Sequence, residues 1–493
     1  MKRPSKVTAA MLYDLVQCPH RPAMDLFGDP AKRDEVNPFL QLLWEKGTAF
    51  EHEVAAGLEV PMLDLSPYAG NEKERLTLEA MQRGEALIYS ARISADDLLG
   101  EPDLLRREGN GYVAGDIKSG SGEEGQDDNA KLKKHYGVQL ALYTDVLERC
   151  DLAASRRPFI WDVHGEEVTY DLEEPQGRRN PWIIWDIYQD ALQRARGIVA
   201  QSGKTNPAYS GACKLCNWYT ACLAELEKAD DLTLLPELGR AKRDVMVNQI
   251  ATVSDLAAVN IDAFISGKKS TFKGIGPDTL RKFHDRAKLC KTAGAAPYLT
   301  KAPNLPMSET EVFFDIEVDP MRDLCYLHGF VERRGGDNST ERYIAFFTDA
   351  VSAEEEERVF AEAWRYIANN QPCVVYYYSK YERTIWRQLQ AKYSSVCSAD
   401  DIETLFELPQ SVDLYFDVVK KATEWPTRDH SIKTLAKFLG FRWRDTHPSG
   451  AASIEWFDRW IQTGDIAIKQ RILDYNEDDC VAARVVLDGI RAL

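Results

Sequence analysis

The sequence predicts a multidomain α/β protein. Its 493 residues exceed what one hydrophobic core normally organises, so we expect about two to four domains. Helical and strand-like patterns mix over residues 1 to about 230. A second strand-rich region begins near residue 307 with "EVFFDIEV" and ends in a largely helical stretch. A share of 44% hydrophobic and 28% charged residues is typical of globular domains and excludes a disordered or fibrous chain.

The composition also narrows the class of protein. No apolar run approaches the roughly 20 residues of a membrane-spanning helix, and Asp14 interrupts the mildly apolar stretch near the N-terminus. We therefore expect a soluble, cytoplasmic protein that binds no membrane. Ten cysteines are too sparse for a disulfide scaffold, and in a reducing compartment a clustered subset more often binds metal. The net charge of −17 argues against a uniformly basic surface but leaves local basic patches open.

Breaks in composition divide the chain into three predicted segments. The motif "LLPELGR" (234–240) ends the first domain, which we place at residues 1–235. Residues 236–300 form a basic segment of short predicted helices, in which Gly239 to Lys301 carry twelve Lys or Arg and five Asp, a net charge of +7. The Gly-, Ala- and Pro-rich stretch 291–306 predicts a linker. Residues 307–493 then form the last domain.

The first acidic motif lies in "GEPDLLRREGNGYVAGDIKSG" (100–120). Asp103 begins one predicted strand, and Asp116 and Lys118 end the next strand after a Gly-rich turn. Asp116 and Lys118 share a strand face because side chains two apart point the same way. Two carboxylates suit a divalent metal, and the ammonium can orient water and stabilise charge on a phosphate. Asp-x-Lys alone also occurs by chance, so a solvated strand end is the alternative.

Flanking helices add further residues to this pattern. The helix predicted at 42–54 carries Glu51, and Gln139 and Tyr143 share one face of the helix predicted at 136–147. The order Gly-x-x-x-Glu, Pro-Asp, Asp-x-Lys, Gln-x-x-x-Tyr resembles the PD-(D/E)xK nucleases of the RecB type, especially the branch shared by AddB and the CRISPR adaptation nucleases.

This resemblance implies a restriction-endonuclease-like core, in which helices surround a mixed sheet. The implied metal ligands are Glu51, Asp103 and Asp116. The implied catalytic residues are Lys118, Gln139 and Tyr143. Many members of the family carry His where this chain has Glu51, which leaves the metal preference open because a carboxylate still binds Mg²⁺ or Mn²⁺.

Three cysteines stand close together in "CKLCNWYTAC", namely Cys213, Cys216 and Cys222. Metals held by thiolates usually take four ligands. The same resemblance implies that Cys18 is the fourth ligand and that the group is a [4Fe–4S] cluster, because relatives carry one cysteine before the nuclease core and three after it. A zinc ion remains the alternative, since spacing alone does not choose the metal.

The basic segment contains Gly274-Ile275-Gly276 immediately before a helix opened by Pro277. This turn resembles the hairpin of a helix-hairpin-helix DNA-binding module. The resemblance implies a small all-α domain that binds backbone phosphates without reading sequence, through Lys273, Gly274, Gly276 and Arg281. A tight turn in a basic linker is the alternative.

The last domain carries a second acidic set. Asp315 and Glu317 lie two apart on a predicted strand, and Tyr475 and Asp479 lie four apart on a predicted helix. This pattern resembles the ribonuclease-H-like exonucleases of the DnaQ superfamily, specifically the YprB-type branch. The resemblance implies an α/β domain in which Asp315, Glu317 and Asp479 bind metal and Tyr475 positions the attacking water.

Two positions of this domain stay open on the sequence. The third acidic ligand of the exonuclease pattern falls in "VVYYYSKYERTIW", whose only carboxylate is Glu382; the alternative is Asp413 in "SVDLYFDVV". We favour Glu382 because YprB-type proteins often carry such a Tyr-Glu pair. Lys433, in "SIKTLAKFLG", either touches a phosphate or belongs to a solvated amphipathic helix.

Together these motifs predict a nuclease that uses Mg²⁺ or Mn²⁺ at two active sites, with exonuclease action expected. Its expected substrates are single-stranded DNA or duplex ends, with RNA as a further candidate, and the expected processes are DNA repair, mobile-element processing or defence. The alternative is a nucleic-acid-binding scaffold with degenerate centres that serves a partner helicase or integrase. The chain has no Gly-x4-Gly-Lys-Ser/Thr phosphate loop, so we expect any ATP-driven unwinding to come from such a partner.

Overall fold

The computed structural model describes residues 6–58, 60–124, 131–177, 180–446 and 448–493. Contacts divide the chain into two compact units, Met1–Pro207 with Gly211–Leu223 and Ala208–Ser210 with Ala224–Leu493. The mixed sheets and helices of these units confirm the predicted α/β multidomain fold. Among the described residues, no helix is both long and apolar enough to cross a membrane.

The first unit contains eleven described strands and six described helices, followed by a seventh helix that runs into the second unit. The strands are β1 (Val7–Thr8), β2 (Leu63–Asp64), β3 (Leu87–Tyr89), β4 (Ile93–Ala95), β5 (Leu98–Gly100), β6 (Leu104–Glu108), β7 (Gly111–Ile117), β8 (Glu123–Glu124), β9 (Lys131–Leu132), β10 (Phe159–Trp161) and β11 (Glu167–Thr169). The helices are α1 (Ala9–Gln17), α2 (Arg21–Phe27), α3 (Pro38–Gly57), α4 (Gly70–Arg83), α5 (Lys134–Arg149), α6 (Ile184–Val199) and α7 (Tyr219–Lys228).

The core of this unit is a six-stranded mixed sheet in the order β11-β10-β7-β6-β3-β2. Every residue of β7, "GYVAGDI", is buried, as expected for a central strand covered on both faces. Helix α5 is buried over most of the range 137–147, with Gln139 half-buried, and it packs against α1, α6 and β7. The sheet and α5 therefore form the rigid support for the Asp-x-Lys motif.

The second unit contains nine described strands and ten described helices beyond α7. The strands are β12 (Ile265–Ser266), β13 (Lys269–Ser270), β14 (Tyr298–Leu299), β15 (Thr310–Asp319), β16 (Leu324–Arg334), β17 (Asp337–Phe347), β18 (Val374–Tyr377), β19 (Ser411–Asp413) and β20 (Thr423–Glu424). The helices are α8 (Gly239–Met246), α9 (Val253–Ala258), α10 (Pro277–Lys291), α11 (Ala353–Asn369), α12 (Tyr381–Lys392), α13 (Ala399–Leu405), α14 (Lys420–Ala422), α15 (Ile432–Phe438), α16 (Gly450–Thr463) and α17 (Ile466–Arg491).

A five-stranded sheet in the order β17-β16-β15-β18-β19 organises this unit. Strand β15 is central; it pairs antiparallel with β16 and parallel with β18. Side chains alternate between two apolar cores, so Phe313 belongs to one core and Val312 and Phe314 to the other. The 26-residue helix α17 packs across β15 and β16, which brings the chain end against the central strand.

The basic segment belongs to the second unit, and two of its features differ from the sequence prediction. The stretch before the Gly-Ile-Gly turn, predicted as short helices, includes the hairpin β12–β13, whose turn uses Gly267 at φ 57°. The predicted linker 291–306 includes β14, which pairs with the distant β20. Local composition predicted neither feature, because a two-residue strand depends on a partner strand for its hydrogen bonds.

Arg286 anchors the basic segment to the rest of the second unit. Its side chain is 1% exposed, and its Nε lies 2.7 Å from Glu424 Oε2. Its Nη1 donates to Pro236 O at 2.9 Å and to Glu237 Oε2 at 3.0 Å. A buried guanidinium needs such a complete set of acceptors to offset its desolvation, so these contacts fix the position of α10.

Candidate active sites

The β6–β7 hairpin brings Asp103, Asp116 and Lys118 together. Leu104 pairs with Gly115, which places Asp103 opposite Asp116. The Asp103 backbone N–H donates to Asp116 Oδ1 at 3.3 Å, and the Ile117 N–H donates to Asp103 Oδ2 at 2.8 Å. Lys118 Nζ lies 2.9 Å from Asp116 Oδ2. The predicted strand register therefore places the two carboxylates and the ammonium in one site.

The charges at this hairpin act strongly on one another. Burial raises the pKa of Asp103 well above its usual range, and the neighbouring Asp116 raises it further. Burial by itself lowers the pKa of Lys118, but Asp116 and Asp103 together hold that pKa above its ordinary value. Lys118 is therefore a charged ammonium at neutral pH and supplies a fixed positive charge beside the carboxylates.

Glu51, on α3, lies close enough to raise the pKa of Asp103 further. The Tyr89 hydroxyl donates to Glu51 Oε1 at 2.9 Å and lies 3.3 Å from His52 Nδ1. Neither Tyr89 nor His52 belonged to the predicted site. The adjacency of His52 to Glu51 was the available signal, whereas the contact of Tyr89 depends on the tertiary fold.

Gln139 and Tyr143 support the loop that precedes Asp103. Gln139 Nε2 donates to the Tyr143 hydroxyl at 3.0 Å, and that hydroxyl donates to Glu101 O at 3.2 Å. A Cβ at Gly100 would lie 2.5 Å from Tyr143 Cδ1, so only glycine allows the ring to approach. Both side chains lie on one face of α5, as the sequence predicted, and they hold the loop 101–103 in place.

The second acidic set meets on β15 and α17. Asp315, Glu317 and Asp479 each offer a carboxylate oxygen, and these oxygens lie within 4.8 Å of one another. Asp315 and Glu317 share a strand face through their two-residue spacing, and α17 crosses the same face. We call these three residues the second centre; the first centre comprises Glu51, Asp103, Asp116 and Lys118.

Side chains outside the predicted site fix two of the three carboxylates of the second centre. Asn476 Nδ2 donates to Asp315 Oδ2 at 2.8 Å, and Trp443 Nε1 donates to Asp479 Oδ1 at 2.7 Å. A Cβ at Gly329 would lie 1.6 Å from Asn476 Oδ1, so this glycine lets α17 approach the sheet. Asn476 lies inside the Tyr-Asn-x-x-Asp motif, which could have identified it; Trp443 had no such signal.

The carboxylates of the second centre repel one another. Burial, and then Asp479, raise the pKa of Glu317 to about 8. The pKa of Asp315 is raised by burial and by Asp479, Glu317 and Glu382. Such a group gains from a bound cation, because the cation replaces repulsion with attraction; oxygen ligands of this kind suit Mg²⁺ or Mn²⁺.

Glu382 fits the role of a fourth carboxylate better than Asp413 does. Glu382 is 4% exposed, and its buried Oε2 has no hydrogen-bond partner among the described residues. Burial raises its pKa to about 8, and it acts electrostatically on Asp315. Asp413 Oδ1 instead accepts a hydrogen bond from the Phe416 N–H at 2.8 Å and caps the π-helix Leu414–Val419. Glu382 therefore stays the preferred candidate for this position, and its role as a ligand stays a prediction.

Lys433 contacts the predicted water-positioning tyrosine. Lys433 Nζ donates to the Tyr475 hydroxyl at 2.7 Å and lies 3.9 Å from Asp479 Oδ2. Burial raises the pKa of Tyr475, and Asp479 raises it further, so its phenol stays protonated. The ammonium only donates, so the Tyr475 oxygen accepts from Lys433 and its proton is free to point elsewhere.

The four cysteines lie in two segments that pack together within the first unit. Cys18 ends α1, the turn Gly211–Leu215 carries Cys213, Cys216 follows that turn, and α7 carries Cys222. Trp218 Nε1 donates to Asp25 Oδ1 at 2.8 Å, and Asp34 N donates to Asn217 O at 2.7 Å. Burial raises the pKa of Cys216, on which Cys18 and Cys213 also act. Cys18, Cys213 and Cys216 are therefore close enough to act on one another, and whether these thiols bind a metal stays a prediction.

The predicted phosphate-binding turn is formed as a surface feature of the basic segment. Gly274 adopts φ 79°, and Gly276 caps α10 before Pro277. Lys273 is exposed. Arg281 Nη2 lies 3.0 Å from Asp262 Oδ1, so this guanidinium already has a carboxylate partner.

Two family models match the chain. Residues 26–223 match the PD-(D/E)XK nuclease superfamily, and residues 312–490 match the RNase H superfamily. The chain therefore contains a domain of each superfamily. Both matches support a hydrolytic nuclease that acts on nucleic acid, and they imply the use of divalent metal. A search of curated proteins found no match.

Each matched region contains the carboxylates of one centre, which agrees with the two superfamilies that the motifs predicted. The narrower assignments remain predictions. These are the AddB-like and YprB-type branches, the iron–sulfur cluster, the helix-hairpin-helix module, the three domain boundaries and the role of each site residue.

Proposed function

We propose that this chain is a two-centred nuclease that hydrolyses phosphodiester bonds of single-stranded or frayed DNA with Mg²⁺ or Mn²⁺. The observation that carries the proposal is the meeting of Asp315, Glu317 and Asp479 within 4.8 Å, although 162 residues separate Glu317 from Asp479 in the chain. Three buried or half-buried carboxylates this close repel one another, which costs free energy unless a cation offsets their charge. Exonuclease action is the mode expected of this centre.

In the first centre, Asp103, Asp116 and Glu51 would hold the metal. A bound divalent cation supplies the charge that activates water and stabilises the leaving oxygen. Lys118 adds a permanent ammonium 2.9 Å from Asp116, where it can orient water and balance charge that develops on the phosphate. Gln139 and Tyr143 keep the Asp103 loop in position through the Glu101 carbonyl.

In the second centre, Asp315, Glu317, Asp479 and Glu382 would hold metal, and Tyr475 would position the attacking water. Lys433 orients the Tyr475 hydroxyl, because its ammonium donates a hydrogen bond to the phenol oxygen. The proton of Tyr475 can then point toward Asp479 or a water molecule beside it. Lys433 is thus a positioning residue for this centre.

Two further elements complete the proposal. Cys18, Cys213, Cys216 and Cys222 would hold a [4Fe–4S] cluster that ties together the two ends of the first nuclease domain. The basic segment 236–300 would hold the DNA backbone through the turn at Lys273, Gly274 and Gly276 and through Arg281. DNA repair, mobile-element processing and defence, with a helicase or integrase as partner, are the processes in which such an enzyme fits.

The direct test incubates the purified full chain with end-labelled single-stranded DNA, blunt duplex DNA and RNA of matched length, each with Mg²⁺, Mn²⁺ or EDTA. We expect metal-dependent shortening of single-stranded DNA from an end. The Lys118→Ala/Asp315→Ala double variant, purified in parallel, controls for contaminating nucleases. Binding without cleavage of any substrate under any metal would show a nucleic-acid-binding scaffold and overturn the proposal.

A further inference from the structure

Three aromatic rings gather beside Lys118 on the surface of the first unit. Tyr13, on α1, has its ring centroid 4.9 Å from that of His135 and 6.1 Å from that of Tyr136. His135 and Tyr136, on α5, have their centroids 4.6 Å apart. All three side chains are half-buried, so each keeps part of its surface open to solvent. We call these rings the aromatic cluster.

Lysines surround this cluster. Lys118 Nζ lies 6.0 Å and Lys133 Nζ 5.1 Å from the centroid of the Tyr136 ring, so both ammonium groups are within the range of cation–π attraction. Lys134, the first residue of α5, has its Nζ 4.6 Å from the centroid of the Trp182 ring. Lys133 also donates to Ser121 O at 2.7 Å, which uses one of its three protons. Two ammonium groups therefore lie beside the aromatic cluster, at its Tyr136 ring.

His135 belongs with the rings rather than with the charges. Burial lowers its pKa to about 4, and Lys133 and Lys118 lower it as well. The imidazole is therefore neutral at physiological pH and presents an uncharged aromatic surface. We call the aromatic cluster together with Lys118 and Lys133 the patch. Its positive charge comes from the lysines, and its flat apolar surface comes from Tyr13, His135 and Tyr136.

We infer that the aromatic cluster and its lysines bind a single strand of nucleic acid and guide it to Lys118; the inference rests on the proposed nuclease function of the first centre. Bases offer π-faces to aromatic side chains only where they are not paired inside a duplex, and the phosphates between them match the lysines. A duplex presents phosphates to the lysines but hides its bases from the rings. Since Lys118 belongs both to the centre and to this patch, a strand that stacks here has its backbone next to the first centre.

The test measures binding by the full chain in EDTA, so that no cleavage occurs. The probes are a single-stranded oligonucleotide carrying 2-aminopurine, its RNA equivalent, an abasic strand of equal length and the matched duplex. The variants are Tyr136→Leu and Tyr13→Leu, which keep apolar volume, with Tyr136→Phe as the variant that keeps the ring. Trp185→Leu is the matched control, since Trp185 packs on Arg156 and Tyr188 elsewhere in the first unit.

We expect the two Leu variants to weaken binding of the base-bearing single strand about tenfold or more and to reduce 2-aminopurine quenching, because stacking contributes strongly for each base. Affinity for the abasic strand and for the duplex should stay at the wild-type value, as should all affinities of Tyr136→Phe and Trp185→Leu. Equal weakening for base-bearing and abasic strands would overturn the inference, because it would show loss of charge or of fold rather than of stacking.

Cleavage kinetics distinguish a failure of the strand-binding surface from a failure of the proposed nuclease function. In an Asp315→Ala background, the Leu variants should raise KM for single strands and leave kcat near its starting value. If that background cleaves nothing while the stacking effects are present, the nuclease function of the first centre fails and the strand-binding surface stands. If it cleaves and the Leu variants leave KM and quenching unchanged, the surface fails and the nuclease function stands.

Discussion

The two centres balance their charges in different ways. In the first centre, Lys118 lies 2.9 Å from Asp116, so the chain itself supplies a cation. In the second centre, Lys433 reaches only to 3.9 Å from Asp479 and is already hydrogen-bonded to Tyr475. In both centres burial and a neighbouring carboxylate raise the pKa of an acid, namely Asp103 in the first centre and Glu317, to about 8, in the second. The difference is that the first centre holds an ammonium in direct contact with a carboxylate, whereas the second has only the more distant Lys433 and depends more on a metal to offset the repulsion of its carboxylates.

The centres also differ in how their geometry is held. Backbone N–H groups of one hairpin hold Asp103 and Asp116. Distant side chains hold the second centre, with Asn476 on Asp315 and Trp443 on Asp479. A change at a remote residue should therefore disturb the second centre more easily than the first.

The largest expected effect comes from removing one centre at a time. Lys118→Ala and Asp315→Ala should each abolish a different part of the cleavage, by about a thousandfold, because each removes a main charge stabiliser or a metal ligand. The double variant should be inert. Product patterns on end-labelled single-stranded and duplex substrates would separate the two activities. A wild-type pattern in Asp315→Ala, with no cleavage in Lys118→Ala, would show that the second unit only binds.

A matched pair of isosteric variants tests whether Glu382 or Asp413 is the fourth carboxylate of the second centre. Glu382→Gln should lower the Asp315-dependent rate about a hundredfold, because it removes a negative charge from the metal site. Asp413→Asn should leave that rate within a few fold and change stability little, since asparagine keeps the side-chain oxygen that caps the helix. Rates measured in a Lys118→Ala background test this ranking. The opposite ranking would make Asp413 the fourth ligand.

The cysteine site should be visible in the spectrum. Purified protein should be brown, and Cys18→Ser, Cys213→Ser, Cys216→Ser or Cys222→Ser should lose the colour, because thiolate-bound iron absorbs visible light. Each variant should also destabilise the first unit by about 3 kcal/mol or more, since a cluster bound by these cysteines would link Cys18 to the distant segment 213–222. Cys150→Ser, at an exposed cysteine of the same unit, is the matched control and should keep its iron. Colourless protein with stoichiometric zinc would instead identify a zinc site.

The pH dependence of stability should report the raised pKa values of the second centre. Glu317 and Glu382 have pKa values of about 8 in the folded protein and an ordinary value of about 4.3 when unfolded. Between these pH values the folded, metal-free protein holds more protons, so its free energy of unfolding should fall as pH rises, by about 1.4 kcal/mol per pH unit for each proton. Mn²⁺ binding should release protons over the same range.

Mn²⁺ titrations in weak buffer, made in an Asp103→Asn/Asp116→Asn background, measure this proton release at the second centre alone. Glu317→Gln should reduce the release and flatten the pH dependence of the thermal midpoint. Proton release that is the same in this variant and its parent would contradict the raised pKa of Glu317.

The smallest expected effect lies in the basic segment. Lys273→Ala should weaken DNA binding a few fold and reduce the salt slope by about one, because one phosphate contact is lost. Arg281→Ala should do less, since Asp262 already pairs with Arg281. Base preference should not change. Lys421→Ala, which removes a lysine paired with Asp417 elsewhere in the second unit, is the control; salt slopes that do not differ between it and Lys273→Ala would make the segment a linker.

Much of the first centre could be predicted from the sequence because its key residues are local. Asp103, Asp116 and Lys118 fall within sixteen residues of one hairpin, and strand alternation sets their faces. The two superfamilies could likewise be predicted from motif order. The contacts of Tyr89, Trp443 and Lys433 could not, because each joins elements that are distant in the chain and leaves no periodic signal.

The sequence by itself determined the α/β multidomain class, the two acidic motifs and the clustered cysteines, since each is a pattern of residue types at short spacing. Only the tertiary structure decided that Asp479 meets Asp315 and Glu317, that Asp413 caps a helix while Glu382 keeps an unpartnered buried oxygen, and that the predicted linker supplies a strand to β20. The physical reason is that burial and hydrogen-bond partners come from segments far apart in the chain, and these decide whether a carboxylate is a cap or a ligand.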